Sequence, residues 1–190
     1  MFSKTFTATT SAIVLAATAG FAGSHSETGN PMVGGAPMSP DKTIVENAVN
    51  SADHETLVTA VKAAGLVETL NSEGPFTVFA PTDEAFGMLR DGTVEALLQP
   101  EAKGQLKQIL TCHVVAADAM AMDIKGMVDD DGGMHEVPTV GGCTLEATYN
   151  GDEITLTDER GREINVTIAD VKQSNGVIHV VDRVILPPRQ

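Results

Sequence analysis

The chain has 190 residues, with 26 acidic against 12 basic side chains and a net charge of −14. Acidity of that kind argues against a nucleic-acid-binding role, which needs a basic face to meet phosphate. With no tryptophan and a single tyrosine, Tyr149, there is also almost no ring surface on which bases or sugars could stack.

Residues 1–22 read as a secretory signal peptide. Lys4 is a lone positive charge, Ala12 to Ala19 is a short apolar stretch, and Gly20-Phe21-Ala22 offers the small residues a signal peptidase reads. That stretch is too short to span a bilayer, so the expectation is export to the periplasm, cell surface or extracellular medium without an integral membrane segment. Residues 23–40 are rich in Gly, Ser, Asn, Pro and Met, lack periodicity and read as a flexible leader, with order expected from about Lys42. One domain follows over residues 41–188, long enough to bury its own core.

Ile44, Val45, Ala48 and Val49 fall at helical spacing. After Ser51-Ala52-Asp53 a second helix carries Leu57, Val58, Val61 and Ala64 on one face and stops at Gly65, and Leu66, Val67 and Leu70 suggest a short third. His54, at the second helix's start, is expected to be exposed. The segment Gly74-Pro75-Phe76-Thr77-Val78-Phe79-Ala80-Pro81-Thr82-Asp83-Glu84-Ala85-Phe86 reads as turn, buried strand and capped helix. Thr82 stands where an N-cap belongs, and Asp83 and Glu84 fill the first turn, where the helix dipole favours negative charge. Phe76, Phe79 and Phe86 are expected at the centre of the core, with Ile178 and Val180. Pro100 opens another helix, with Leu106, Ile109 and Leu110 inward, running into Cys112-His113-Val114-Val115.

The second half changes character. Val137–Val140, Cys143–Tyr149, Glu153–Thr157, Glu163–Ile168 and Val177–Leu186 all read as strands, with Asn150-Gly151 a hairpin turn. Helices early and antiparallel strands late make an α+β pattern. Between the halves, residues 120–136 combine Met120, Met122, Met127, Asp129-Asp130-Asp131 and His135. The bland reading is a mobile acidic loop. The sharper one is a periplasmic metal- or small-ligand-binding protein using these Met, His and Asp side chains.

In an exported chain, Cys112 and Cys143 are expected to form a disulfide, the alternative being two buried free thiols. His113 and His179 lie in apolar strands and read as hydrogen-bonded structural residues. No phosphate loop, dinucleotide fingerprint, nucleophile elbow or zinc spacing occurs, so no catalytic residue, cofactor or metal ligand is nominated.

The Gly74–Phe86 segment and Asn175-Gly176-Val177-Ile178-His179-Val180-Val181-Asp182-Arg183-Val184-Ile185-Leu186-Pro187 resemble, in this order and spacing, the two signature motifs of the fasciclin (FAS1) domain. The resemblance runs from about Thr43 to Pro187 and is to a single-domain, secreted, bacterial kind of member. It implies helices packed on an antiparallel β-sandwich or barrel, and a non-enzymatic module for weak cell–cell or cell–surface adhesion. His113 matches the family's histidine before a Val-Val strand, while Cys112 replaces its tyrosine. His179 and Asp182 belong to the second motif. Asp170-Val171 resembles the Asp-Ile pair implicated in integrin binding in animals, with valine for isoleucine. It is therefore the first candidate contact surface, with Thr82-Asp83 the second. Expected partners are cell-surface or extracellular macromolecules, with weak self-association.

Overall fold

A computed structural model describes residues 30–151 and 153–188. The expected signal peptide and the leader's first residues, 23–29, lie outside them. From Asn30 the chain is folded, which corrects the expected flexible leader over 30–40. Strands β1 (Met32–Val33) and β2 (Ala36–Pro37) pair antiparallel around Gly34 and Gly35, at φ 56° and 73°. Two consecutive positive φ values are the requirement of a two-residue hairpin turn, so these glycines mark a turn rather than flexibility. Val33 and Met38 enter the core.

Six helices follow: α1 (Ile44–Ala48), α2 (Glu55–Ala64), α3 (Val67–Leu70), and, after strand β3 (Phe76–Pro81), α4 (Asp83–Gly87), α5 (Thr93–Leu97) and α6 (Lys103–Thr111). Thr43 and Glu46 form a capping box on α1, and Gly65 ends α2 in the left-handed conformation, as its place in the sequence predicts. Strand β4 (Val114–Val115) precedes α7 (Ala121–Asp130), and strands β5 (His135–Pro138), β6 (Thr144–Asn150), β7 (Glu153–Thr157), β8 (Glu163–Gln173) and β9 (Gly176–Val181) complete the chain.

Seven strands form one nearly closed sheet in the order β4-β3-β9-β8-β7-β6-β5. All neighbours are antiparallel except β3 and β9, which run parallel, so the sheet is mixed where a purely antiparallel one was expected. That pair places the two signature segments side by side, with Phe76 opposite Gly176 and Phe79 opposite His179. The strands approach too closely for side chains at one end: a Cβ on Gly176 would lie 1.9 Å from the Phe76 carbonyl oxygen. Irregular pairing within β8 lets this long strand serve both halves of the sheet.

Two apolar clusters result. One joins α1, α2, α6 and the helix-facing side of β3 and β9, and includes Phe86, Ile178 and Val180. The other lies between α7 and β5–β7, and includes Phe79, Ile124, Leu145, Leu156 and Ile185. Phe79 and Phe86 therefore anchor different clusters, and Phe76 is only half-buried against the first, which corrects the expectation of one aromatic centre.

Cys112, the residue that ends α6, is bonded to Cys143 ahead of β6, with Cα atoms 5.4 Å apart. The bridge ties the helical layer to the second cluster. Closing a loop over a separation of 31 residues stabilises by roughly 3–4 kcal/mol through the unfolded chain's lost entropy. The reduced protein should show that deficit in urea titrations. Thiol labelling of the unfolded, unreduced chain should find both cysteines blocked, and two reactive thiols would refute the pairing.

Candidate functional site

Several polar side chains of the signature segments hold helix ends, some of which belong to other parts of the chain. Thr82 acts as expected, its Oγ1 accepting from Ala85 N at 3.2 Å. Asp83 reaches further. Its carboxylate accepts from Glu55 N at 3.2 Å and Thr56 N at 2.8 Å, and its own N–H donates to Asp53 O at 2.8 Å. Asp83 thus caps α2, whose own N-cap residue, His54, makes no side-chain capping bond. Asn175 does the same for α1: its Oδ1 accepts from Ile44 N at 3.0 Å, while Nδ2 donates to Leu70 O at 2.7 Å and Ser72 O at 3.1 Å, closing α3.

Asp170 repeats the pattern on α7. It stands at φ 60°, a left-handed conformation that Asp tolerates better than most residues, and Oδ1 accepts from Ala121 N at 2.7 Å. Its N–H donates to His179 Nδ1 at 3.3 Å. His179 Nε2 must then carry the proton, which it donates to Ala119 O at 2.8 Å. Thr77 Oγ1 donates to Ala117 O at 2.7 Å and accepts from Ala119 N at 2.9 Å. Together these three side chains fasten residues 117–121 over β3 and β9. Asp182 accepts from Asn165 N at 2.8 Å and Nδ2 at 2.9 Å, fixing the end of β9 to β8.

The expected contact surface changes accordingly. Val171 is fully buried in the first cluster and offers nothing to a partner, because the irregular pairing within β8 turns it inward. Asp170 is half-exposed but already bonded, and Asp83 is committed to α2.

His113, like His179, is buried. Ile185 N donates to its Nε2 at 2.9 Å, so Nδ1 carries the proton and donates to Ile109 O at 2.8 Å. Burial pushes the imidazole down to about 4, against the opposing pull of the Ile109 carbonyl. Burial also lowers His54 and His179. His54, expected to be exposed, is buried, with Nδ1 2.8 Å from Ser51 Oγ.

A pH dependence follows. Unfolded, His113 takes up its proton near the ordinary value of 6.5; folded, only near 4. Between these limits the unfolded chain binds more protons. Its contribution is therefore complete above about pH 6.5 and is lost as pH falls towards 4, by about 3 kcal/mol for this residue. Urea midpoints should fall from pH 7 to pH 4.5, and His113→Asn should flatten part of that slope. A midpoint constant over this range would refute it.

Residues 120–136 do not form the expected mobile loop. Most of them build α7, with Ile124 and Val128 buried, and the rest lead into β5. Met122 is exposed, Lys125 lies over the Tyr149 ring and bonds Asp129 at 3.0 Å, and His135 Nδ1 sits 2.5 Å from Asp131 Oδ2. Among the described residues no group of three or more His, Cys, Asp or Glu side chains is placed to hold a metal ion. An apolar cavity of about 40 Å³ lies between α1–α3 and the sheet, well below the few hundred Å³ of an ordinary small-molecule site. No helix among the described residues is long and apolar enough to cross a membrane.

One site was not anticipated. Asp158, in the β7–β8 turn, is buried, and its Oδ1 accepts from Arg160 N at 3.0 Å and Arg162 N at 3.1 Å. Oδ2 accepts from Arg162 Nε at 3.0 Å, Arg162 Nη2 at 2.6 Å and Leu186 N at 3.2 Å. Arg162 Nη2 also donates to Val184 O at 2.8 Å. The C-terminal segment is held to the turn by this network rather than by continued strand pairing, so β9 stops at Val181, short of the expected Leu186.

The Fasciclin domain family profile matches residues 52–187. The protein sll1483 of Synechocystis is 47% identical over 146 residues, 77% of this chain and 74% of that one. Immunogenic protein MPB70 of Mycobacterium bovis is 31% identical over 156 residues, covering 80% and 72% of the two chains. Transforming growth factor-beta-induced protein ig-h3 of Sus scrofa is 35% identical over 78% of this chain, which spans only 20% of that much longer protein. Among solved structures, a FAS1 domain pair from the insect cell adhesion molecule Fasciclin I superposes with a TM-score of 0.69 at 20% identity, over 76% of this chain and 51% of that one.

Proposed function

The chain belongs to the fasciclin family, and from that premise we propose that it is an exported, non-catalytic FAS1 interaction module that makes weak cell–cell or cell–surface contacts. One observation carries the non-catalytic part: Asp83, Asp170, Asn175, Thr77, His113 and His179 each hold a backbone group through the side chain. A general acid or base needs a second group converging on a free reacting atom, and these residues are committed to holding helices and loops. The cell-adhesion description of the insect Fasciclin I domain pair supports the adhesive part.

Export rests on residues 1–22 read as a signal peptide, with cleavage after Ala22 or, as the alternative, after Ala19. Its partners are cell-surface or extracellular macromolecules, engaged weakly by each copy and strongly by many. Of the expected contact residues, Asp170 stays within the proposal, at the half-exposed corner where β8 meets α7.

Gene deletion followed by attachment and aggregation assays tests the reading, with fractionation to locate the protein. Reduced attachment that is restored by the exported chain is expected. Unchanged attachment, together with tight binding of a metal or metabolite by the pure protein, would replace this reading with the ligand-binding one centred on residues 120–136.

A further inference from the structure

We propose that Asn150, at the tip of the β6–β7 hairpin, is a site of spontaneous deamidation in the folded protein, while the fold protects the chain's other asparagines. The modification is independent of the adhesion reading above and accumulates with the age of the molecule.

Deamidation of an asparagine draws its nucleophile from the next residue. The main-chain nitrogen of that residue, having lost its proton, attacks the side-chain carbon Cγ. The N–Cγ bond forms, the Cγ–Nδ2 bond breaks and ammonia leaves, closing a five-membered succinimide ring. Water then opens the ring. Cleavage between nitrogen and Cγ gives aspartate, and cleavage between nitrogen and the main-chain carbonyl carbon gives isoaspartate, with the chain routed through Cβ. The net exchange is one water taken up and one ammonia released. The step needs a following residue with an available N–H, little bulk beside it, and a side-chain amide free to swing onto it. Glycine meets the steric condition, having no Cβ and the widest range of backbone angles.

The sequence holds two Asn-Gly pairs, and the structure separates them. Asn150 ends β6, pairs with Glu153 across the hairpin and is exposed, as is Gly151. The Asn150 side chain bonds to none of the described residues, and the Gly151 N–H donates to none of them. Asn175-Gly176 is the opposite case. Asn175 holds Ile44 N, Leu70 O and Ser72 O through both of its side-chain polar atoms. Gly176 lies so close to the Phe76 backbone that a Cβ would stand 1.9 Å from its carbonyl oxygen. The Asn175 amide therefore reaches the next nitrogen only after letting go of α1 and α3.

Each remaining asparagine lacks one of the conditions. Asn30 precedes Pro31, which has no N–H. Asn47 is buried, and its amide bonds Ser39 and Gln173. Asn50 and Asn71 precede Ser51 and Ser72, whose N–H groups already go to Ala48 O and Thr69 O. Their amides are held too, by Glu46 O and Thr43 Oγ1. Asn165 precedes the β-branched Val166 and is bonded to Asp182 and Thr155. At Asn150 the new carboxylate joins a chain of net charge −14. In the isoaspartate form the added backbone carbon falls on the residue that pairs with Glu153, at the closing end of the hairpin.

The test is peptide mapping by mass spectrometry on the folded chain, its disulfide intact, held in mildly alkaline buffer, where more of the main-chain amide is deprotonated. The peptide containing Asn150 should gain one mass unit and separate into two isomers. Its conversion should be at least about tenfold faster than that at Asn175, whose reaction waits on local opening. In urea with the disulfide reduced, the two rates should become about equal, since each Asn-Gly pair then sits in open chain. Asn150→Gln, whose longer side chain would have to close a larger ring, should abolish the gain in that peptide. An Asn150 peptide that stays unmodified in the folded chain while the unfolded chain converts would overturn the proposal. So would equal rates at Asn150 and Asn175 in the folded chain, an earlier gain at any other asparagine, or a gain that persists in Asn150→Gln.

Discussion

Replacing Asp158 with alanine is expected to cost about 3 kcal/mol of folding stability, read as a drop in the urea midpoint at constant slope. The carboxylate is 1% exposed and faces an arginine whose side chain is 29% exposed. Its removal leaves the N–H groups of Arg160, Arg162 and Leu186 without their acceptor and the Arg162 guanidinium without its counter-charge. Water can reach part of the guanidinium, which keeps the cost near the lower end for a broken buried pair. Asp158→Asn keeps one acceptor oxygen and should cost less. Arg162→Ala in the Asp158→Ala background should add less than it does alone, since the two residues act as a unit. A midpoint unchanged by Asp158→Ala would mean that the C-terminal segment is held by other contacts.

Phe79→Ala should cost roughly 3–5 kcal/mol. The ring is 1% exposed, anchors the second cluster and stacks on His179 with centroids 5.7 Å apart. The cavity would open beneath the strand pair that joins the two signature segments, where both backbones are fixed by their ladder and cannot collapse inward. Phe76→Ala, at a half-buried site, should cost distinctly less. If the two substitutions cost the same, or Phe79→Ala costs under about 1 kcal/mol, the division of the core into two clusters is wrong.

Most of the elements were legible because each carries a local signal. The apolar face of α2, the Thr82 cap, the Asn150-Gly151 hairpin and the apolar run of β9 are read from neighbours a few residues apart. What escaped has distant partners. Asp83 has the sequence context of a first-turn charge on α4, yet its bonds go to α2, nearly thirty residues back. Asp158 sits in a stretch that reads only as a turn, and the groups that bury it come from residues 184–186. The helix α7 was hidden by its composition. Ile124 and Val128 are its only buried residues, and Gly126 and the trailing aspartates lower helical propensity, so packing under Asp170 decides the outcome. Exposure of Val171 could not be read at all, because a shift in strand pairing moves a side chain from one face to the other.

The parallel contact of β3 with β9 also sets the order in which the molecule can assemble. Phe76 and Gly176 are partners across almost the whole domain, and β9 is the last strand, lying between β3 and β8 at the middle of the sheet. A chain leaving the ribosome lacks the strand between β3 and β8 until β9 emerges, and the sheet cannot close around the gap. Contacts so far apart in sequence carry a large closure entropy and form late. The sheet of this domain is therefore completed only once β9 is available, and the elements before it wait on that strand for their central partner.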